Sequence, residues 1–117
     1  MREILFYRTK SNECPVEDFL DTLDGKQAQK VAWVMQAVEE LEKVPTTYLK
    51  KLVNTKGIWE IRVQMGSNIF RFLGFFNQGR FIVLTNGFQK KTQKTPKPEI
   101  LLSEQRKQDY LERNSNE

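Results

Sequence analysis

The sequence predicts a single α+β domain: an antiparallel meander with helices packed on one face, in the order β-α-α-β-β-β-α. Three observations predict it. Downstream of residue 56 the apolar side chains recur at every second position in three runs, GIWEIRVQ (57–64), IFRFLGFF (69–76) and RFIVLTNGF (80–88). Upstream, between residues 15 and 43, the apolar spacing is instead helical. The chain has 117 residues and 38% hydrophobic side chains, with eight Phe, three Tyr and two Trp, which suits one core and one domain over 1–117.

Each element has its own signal. Residues 2–8 (REILFYR) are a short apolar-rich strand. Pro15 suits a first helical position, and Val16, Phe19, Leu20 and Leu23 follow at helical spacing until Asp24-Gly25. A second helix runs from about Lys26 to Lys43, with Val31, Val34, Val38 and Leu41 on one stripe, and Val44-Pro45 closes it. Residues 46–56 read as loop. The three strands are joined by turns at Gly66-Ser67-Asn68 and Asn77-Gln78-Gly79. KKTQKTPKP (90–98) is an irregular basic loop, and Glu99 to about Arg113 forms a last helix. Trp33 and Trp59 are expected in the core, and Cys14 is a helix-start residue without a further role.

Composition removes whole classes of chemistry. There is no histidine, which excludes Ser-His and Cys-His nucleophile pairs, HExxH zinc sites and His-bearing deaminase sites. A single cysteine allows neither a Cys metal cluster nor an internal disulfide. No stretch approaches the ~20 apolar residues of a membrane span, and MREILFYR lacks the pattern of a signal peptide. The expectation is a cytoplasmic protein that uses carboxylates, amines, guanidiniums or hydroxyls, with no cofactor, no metal and no membrane partner.

The net charge of +4 averages opposed regions. Residues 1–42 hold five basic and nine acidic side chains; residues 43–98 hold eleven basic and one acidic, Glu60; residues 99–117 hold three basic and five acidic. A +10 block that contains the predicted sheet points to a polyanion partner.

With turns of the lengths above, Trp59, Ile61, Val63, Phe70, Phe72, Phe76, Phe81 and Val83 share the helix-covered face. Glu60, Arg62, Gln64, Arg71 and Asn86 point the other way, with Arg62, Arg71 and Asn86 in one cross-strand row. Two arginines directly opposite each other destabilise a sheet unless an anion lies between them. Either a phosphate is that anion, bound by the guanidinium forks, or Glu60 or a C-terminal acid pairs with both arginines. Phe88 either stacks on a base or packs in the core. Lys90 and Lys91 bring two amines near the row, and clustered cations lower a lysine pKa toward a range useful for proton transfer.

These residues resemble the RelE/ParE toxin superfamily. The likeness lies in Gly57-Ile58-Trp59-Glu60-Ile61-Arg62, in Phe70-Arg71-Phe72, and in Leu84-Thr85-Asn86-Gly87-Phe88-Gln89-Lys90-Lys91-Thr92-Gln93-Lys94-Thr95-Pro96. The most similar branch is the HigB-like, phage-derived one, whose members typically run LWELR, YR and GFxKKTQKTP before a last helix opening PxxEI. The resemblance implies the toxin of a type II toxin–antitoxin pair, a metal-independent endoribonuclease that cuts mRNA in the ribosomal A site and inhibits translation. It implies a helix-turn-helix, HigA-like antitoxin, with operator DNA reached only through that antitoxin. By position Arg71 matches the strand arginine that contacts the scissile phosphate, and Arg62, Lys90 and Lys91 match cationic positions of the same cleft. Relatives commonly carry His where Asn86 stands.

On that basis the expected catalytic set is Arg71 and Arg62 on the nonbridging oxygens, Lys90 or Lys91 as proton donor or electrostatic partner, and Glu60 as base or as clamp for Arg62. Lys50, Lys51, Lys94 and Lys97 are expected along flanking phosphates, with Phe88 beside a base. A ParE-like gyrase poison and a non-catalytic basic RNA-binding module are the competing readings.

Overall fold

The alternating segments build a five-stranded sheet of order β1-β5-β4-β3-β2 in a computed structural model that describes residues 1–91 and 94–115. In chain order the elements are β1 (Glu3–Phe6), α1 (Pro15–Leu20), α2 (Gly25–Glu40), β2 (Leu49–Lys51), β3 (Trp59–Met65), β4 (Asn68–Asn77), β5 (Phe81–Lys90) and α3 (Lys97–Asn114). The α+β class holds, with one strand added. Part of the segment expected as loop forms β2, antiparallel to β3 with Leu49 opposite Ile61. Three residues, two of them lysines, carry no readable alternation. The meander β3-β4-β5 is antiparallel, while β1 lies parallel to β5 and makes the sheet mixed.

Helix ends follow local chemistry. Cys14 is the buried N-cap position of α1, and Pro15 opens the helix. A reciprocal capping box between Asp24 and Gln27 starts α2. At its other end the Arg2 guanidinium donates to the carbonyls of Val38, Leu41 and Glu42, satisfying groups the helix leaves open. The helix therefore stops at Glu40 instead of Lys43, and Leu41, expected on the core stripe, is turned outward as the extended C-cap residue. Trp33, expected in the core, is 54% exposed on α2.

The main core lies between α1 and α2 and one face of the sheet, where Val16, Val31, Val34 and Val38 meet Ile61, Phe70, Phe72, Ile82 and Leu84. Helices on one face thus describes α1 and α2. The last helix lies across part of the opposite face: Tyr110 stands edge-on to Phe75 at 5.6 Å, beside Val83 and Tyr7. The Tyr7 hydroxyl donates to Asp109 Oδ2 at 2.5 Å, tying α3 to the end of β1.

Register decides which side chains meet. The two-residue turn Gly66-Ser67 sets Arg62 opposite Arg71, as expected. A row joining Arg71 to Asn86 would set Asn77 opposite Arg80; instead Asn77 pairs with Phe81, and Gln78, Gly79 and Arg80 lie between them. Gln78 and Gly79 both take left-handed backbone, with φ of 56° and 70°. One added residue changes the face of every side chain after it. Ile82 and Leu84, instead of Phe81 and Val83, therefore face the helices. A β-bulge then shifts the ladder again, so that Gly74 pairs with Leu84 while Leu73 pairs with Asn86. Any Cβ at Gly74 would stand 2.3 Å from the Val83 carbonyl oxygen, so the backbone approach at this bulge requires glycine. Beyond the bulge, Arg71 pairs with Phe88, not with Asn86.

Candidate active site

The face of the sheet not covered by α1 and α2 gathers the charged residues. Glu60 and Arg62 alternate with core residues on β3, and Arg71 projects from β4 directly beside them. Glu60 is fully buried. Its Oε1 accepts from Arg62 Nε at 3.0 Å and stands 3.3 Å from Arg71 Nε, while its Oε2 accepts from the Thr95 hydroxyl ahead of α3. Pairing of both arginines by Glu60, one of the two arrangements left open by the spacing, is what forms.

That pairing is incomplete. Arg71 Nε is close enough to Glu60 for an ion pair but lies off hydrogen-bond geometry, and it is the buried side-chain donor without a partner among the described residues. Arg71 Nη1 donates to the Phe70 carbonyl at 3.1 Å. Burial pushes the Arg71 pKa down, Glu60 pulls it back up, and Arg62 adds to the lowering. A buried guanidinium donor without an acceptor costs free energy, about 1–3 kcal/mol or more for a charged group, until an anion reaches it.

Lys90, the last residue of β5, is 6% exposed on the same face. Its pKa is pushed below the usual lysine value first by burial and then by Arg71, with Arg62 and Lys50 adding to the shift and Glu60 opposing it. Lys50 on β2 stands opposite Glu60. Lys50, Arg62 and Lys90 line a cavity of about 590 Å³ with Lys94 and Lys97, against two acids, Glu60 and Glu104. Leu52, Val53, Ile100 and Leu101 supply its apolar wall. Arg62 also lines a second cavity, of about 350 Å³, into which Arg71 opens.

The structure thus brings together Glu60, Arg62, Arg71, Lys50 and Lys90, with Lys94 and Lys97 at the rim. Phe88 is half-buried opposite Arg71, outside both hydrophobic clusters. Lys91 follows the strand end, exposed, and does not line the lysine-rich cavity. Lys51 pairs opposite Trp59 and lines a hollow with Trp59 and Phe76, apart from the arginines. Asn86 is buried and committed to α3: its amide donates to the carbonyl and carboxylate of Glu99 at 3.3 and 2.9 Å, and Thr85 donates to its Oδ1. Thr92 and Gln93, within the KKTQKTP string, lie outside the described residues. Thr95 is the site residue missed by sequence reasoning, although it belongs to that string. No group of three or more acidic or thiol side chains that could hold a metal gathers among the described residues.

Residues 18–108 match the model of a family described as phage derived protein Gp49-like (DUF891). The chain belongs to the Gp49-like family. The matched span runs from α1 into α3 and includes every charged residue of the cluster. Gp49-like proteins are a toxin-like family related to the RelE and HigB toxins. No curated protein matches this Gp49-like chain. No helix among its described residues is long and apolar enough to cross a membrane.

Proposed function

We propose that this Gp49-like protein is the toxin of a type II toxin–antitoxin pair in the HigB-like branch, acting as a metal-independent endoribonuclease on mRNA at the ribosome. The observation that carries the reading is Arg71, buried opposite Arg62, with a donor left open and Lys90 on the same face. A phosphodiester supplies the oxygens and the negative charge that this arrangement lacks.

The reaction is attack of a ribose 2′-oxygen on the adjacent phosphorus. The 2′-O–P bond forms, the P–O5′ bond breaks, and the 2′-hydroxyl proton passes to solvent. Arg71 and Arg62 hold the nonbridging oxygens and stabilise the charge that develops on the phosphorane. Lys90 gives its proton to the departing 5′-oxygen, a role matched by its lowered pKa. Glu60 acts as a positioning residue, because its two oxygens are already held by Arg62, Arg71 and Thr95. Lys50, Lys94 and Lys97 follow the flanking phosphates, and Phe88 lies beside a neighbouring base. A helix-turn-helix antitoxin of the HigA-like kind silences the protein and links it to operator DNA, and the cytoplasm supplies its substrate.

Induced expression followed by mapping of RNA 5′ ends, with and without ribosomes, tests the reading. New 5′ ends and halted translation with wild type, absent with Arg71→Ala, are expected. DNA-damage signalling without RNA loss would identify a gyrase poison instead. An RNA mobility shift without shortening, in a non-toxic protein, would identify a binding module.

A further inference from the structure

The mechanism above uses only the two arginines of the second cavity, and the rest of its lining is unusual. Arg62, Arg71 and Lys30 contribute three cations, with Val34, Thr47, Tyr48 and Gln64 and no acid. Beside it stands Trp33, 54% exposed although it is one of only two tryptophans. Two side chains that line the cavity meet its ring: Tyr48 stands edge-on at 5.7 Å, and Lys30 Nζ lies 5.1 Å from its centroid. The aromatic pair is mounted on the site itself, because the Tyr48 carbonyl accepts from the Arg62 backbone N–H at 2.8 Å. Arg62 Nη1 also reaches the Thr46 carbonyl in the same loop, at 3.4 Å.

The geometry points to a second nucleotide subsite on the α2 side of Arg62, where Trp33 and Tyr48 stack a base of single-stranded RNA and Lys30 takes its phosphate. This rests on the nuclease reading and extends it, since it adds a binding step that the phosphate chemistry does not need. Aromatic platforms between cations suit a single strand, because every base has a π-face and every nucleotide a charge. A protein partner docking on Trp33 would have to bury Lys30 together with two arginines that share the single carboxylate of Glu60. The strand then runs from the lysine-rich cavity, over Arg62 and Arg71, to the aromatic pair. The scissile phosphate sits at the arginines, and the stacked base is one of its neighbours.

The test uses the full chain and a short 2′-O-methyl RNA oligonucleotide, which binds but offers no attacking hydroxyl, together with a cleavable RNA of the same sequence. Trp33→Ala should weaken oligonucleotide binding about tenfold and raise KM by a similar factor with kcat unchanged. Trp33→Phe should restore most of the affinity, which a merely structural role of the indole would not predict. Lys30→Met should lower the slope of log affinity against log salt by about 0.7, the loss of one phosphate contact on a single strand. Wild-type affinity and KM in Trp33→Ala, beside an Arg71→Ala variant that no longer cuts, would overturn the subsite and leave the nuclease standing. Wild-type protein that neither binds nor cuts RNA would overturn both. Loss of antitoxin binding in Trp33→Ala with RNA affinity intact would reassign the pair to a protein interface and overturn the subsite.

Discussion

Neighbouring residues of β4 live in opposite worlds. Phe70 and Phe72 are fully buried against α1 and α2, with the Phe19 ring edge-on to both at 6.2 and 5.7 Å. Arg71, between them, enters a face where a like charge stands directly opposite and one of its donors has no hydrogen-bond partner among the described residues. The first face gains stability from apolar area removed from water, about 1.5–3 kcal/mol for each large side chain. The second holds a cationic excess that opposes folding and favours an anion. The last helix covers the part of this second face around Phe75, Val83, Thr85 and Asn86, and its first turns wall the cavity beside Lys50, Arg62 and Lys90. Stability and reactivity are therefore divided by alternation along the same strands, so substitutions one residue apart should fail in different ways.

Phe72→Ala should have the largest effect, lowering unfolding free energy by about 3–5 kcal/mol in a urea titration. RNA affinity per folded molecule should be unchanged, and a selective loss of affinity would break the division between the faces. Arg71→Ala should lower kcat by about 10²–10³-fold with its far-UV dichroism and melting transition retained. A variant that unfolds would make Arg71 part of the framework. Lys90 sharpens the comparison through pH. In the proposed mechanism the ammonium form is the proton donor and its pKa is depressed, so cleavage should persist at neutral pH and fall as pH rises through that lowered value. Lys90→Arg should lose that alkaline limb, because a guanidinium stays protonated there; an unchanged limb would remove Lys90 as donor. The smallest effect belongs to Asn86→Ala, which removes two hydrogen bonds to Glu99 and should cost about 1–2 kcal/mol of stability with cleavage unaffected. A loss of cleavage on the scale of Arg71→Ala would place Asn86 in the site.

The helix-facing residues of β3 and β4 were legible in the sequence because period-two alternation over Trp59–Val63 and Phe70–Phe72 has one reading when the turn between them is short. The pairing of Arg62 with Arg71 followed directly. β5 was not legible in the same way. The third residue of its turn depends on Gln78 taking a left-handed conformation, and the bulge depends on a close approach at Gly74; neither changes the hydrophobic pattern. Leu41 was misplaced because its exposure depends on Arg2, thirty-nine residues away in the chain. Trp33 was misplaced because an aromatic residue at helical spacing reads as core whether or not a partner element covers it. The basic block pointed to the charged cluster on this face, but the setting of Glu60 had to wait for Thr95, whose hydroxyl takes the oxygen that a base would need.

The bulge of β5 sets a parity for everything after it. If β5 ran straight through Thr85 without the bulge, Lys90 and Phe88 would stand on the α1/α2 side, and Gln89 and Gly87 would replace them beside the arginines. Deletion of Thr85 would remove the bulge and keep Asn86 opposite Leu73 and Phe88 opposite Arg71, whereas straightening the strand with Thr85 in place would turn Lys90 away from the cluster. The phase is held from outside the sheet. Ser103 of α3 lies 2.6 Å from the Thr85 hydroxyl, and Arg106 donates to the Thr85 carbonyl at 2.9 Å. The C-terminal helix thereby helps decide which residues of β5 reach the arginine pair.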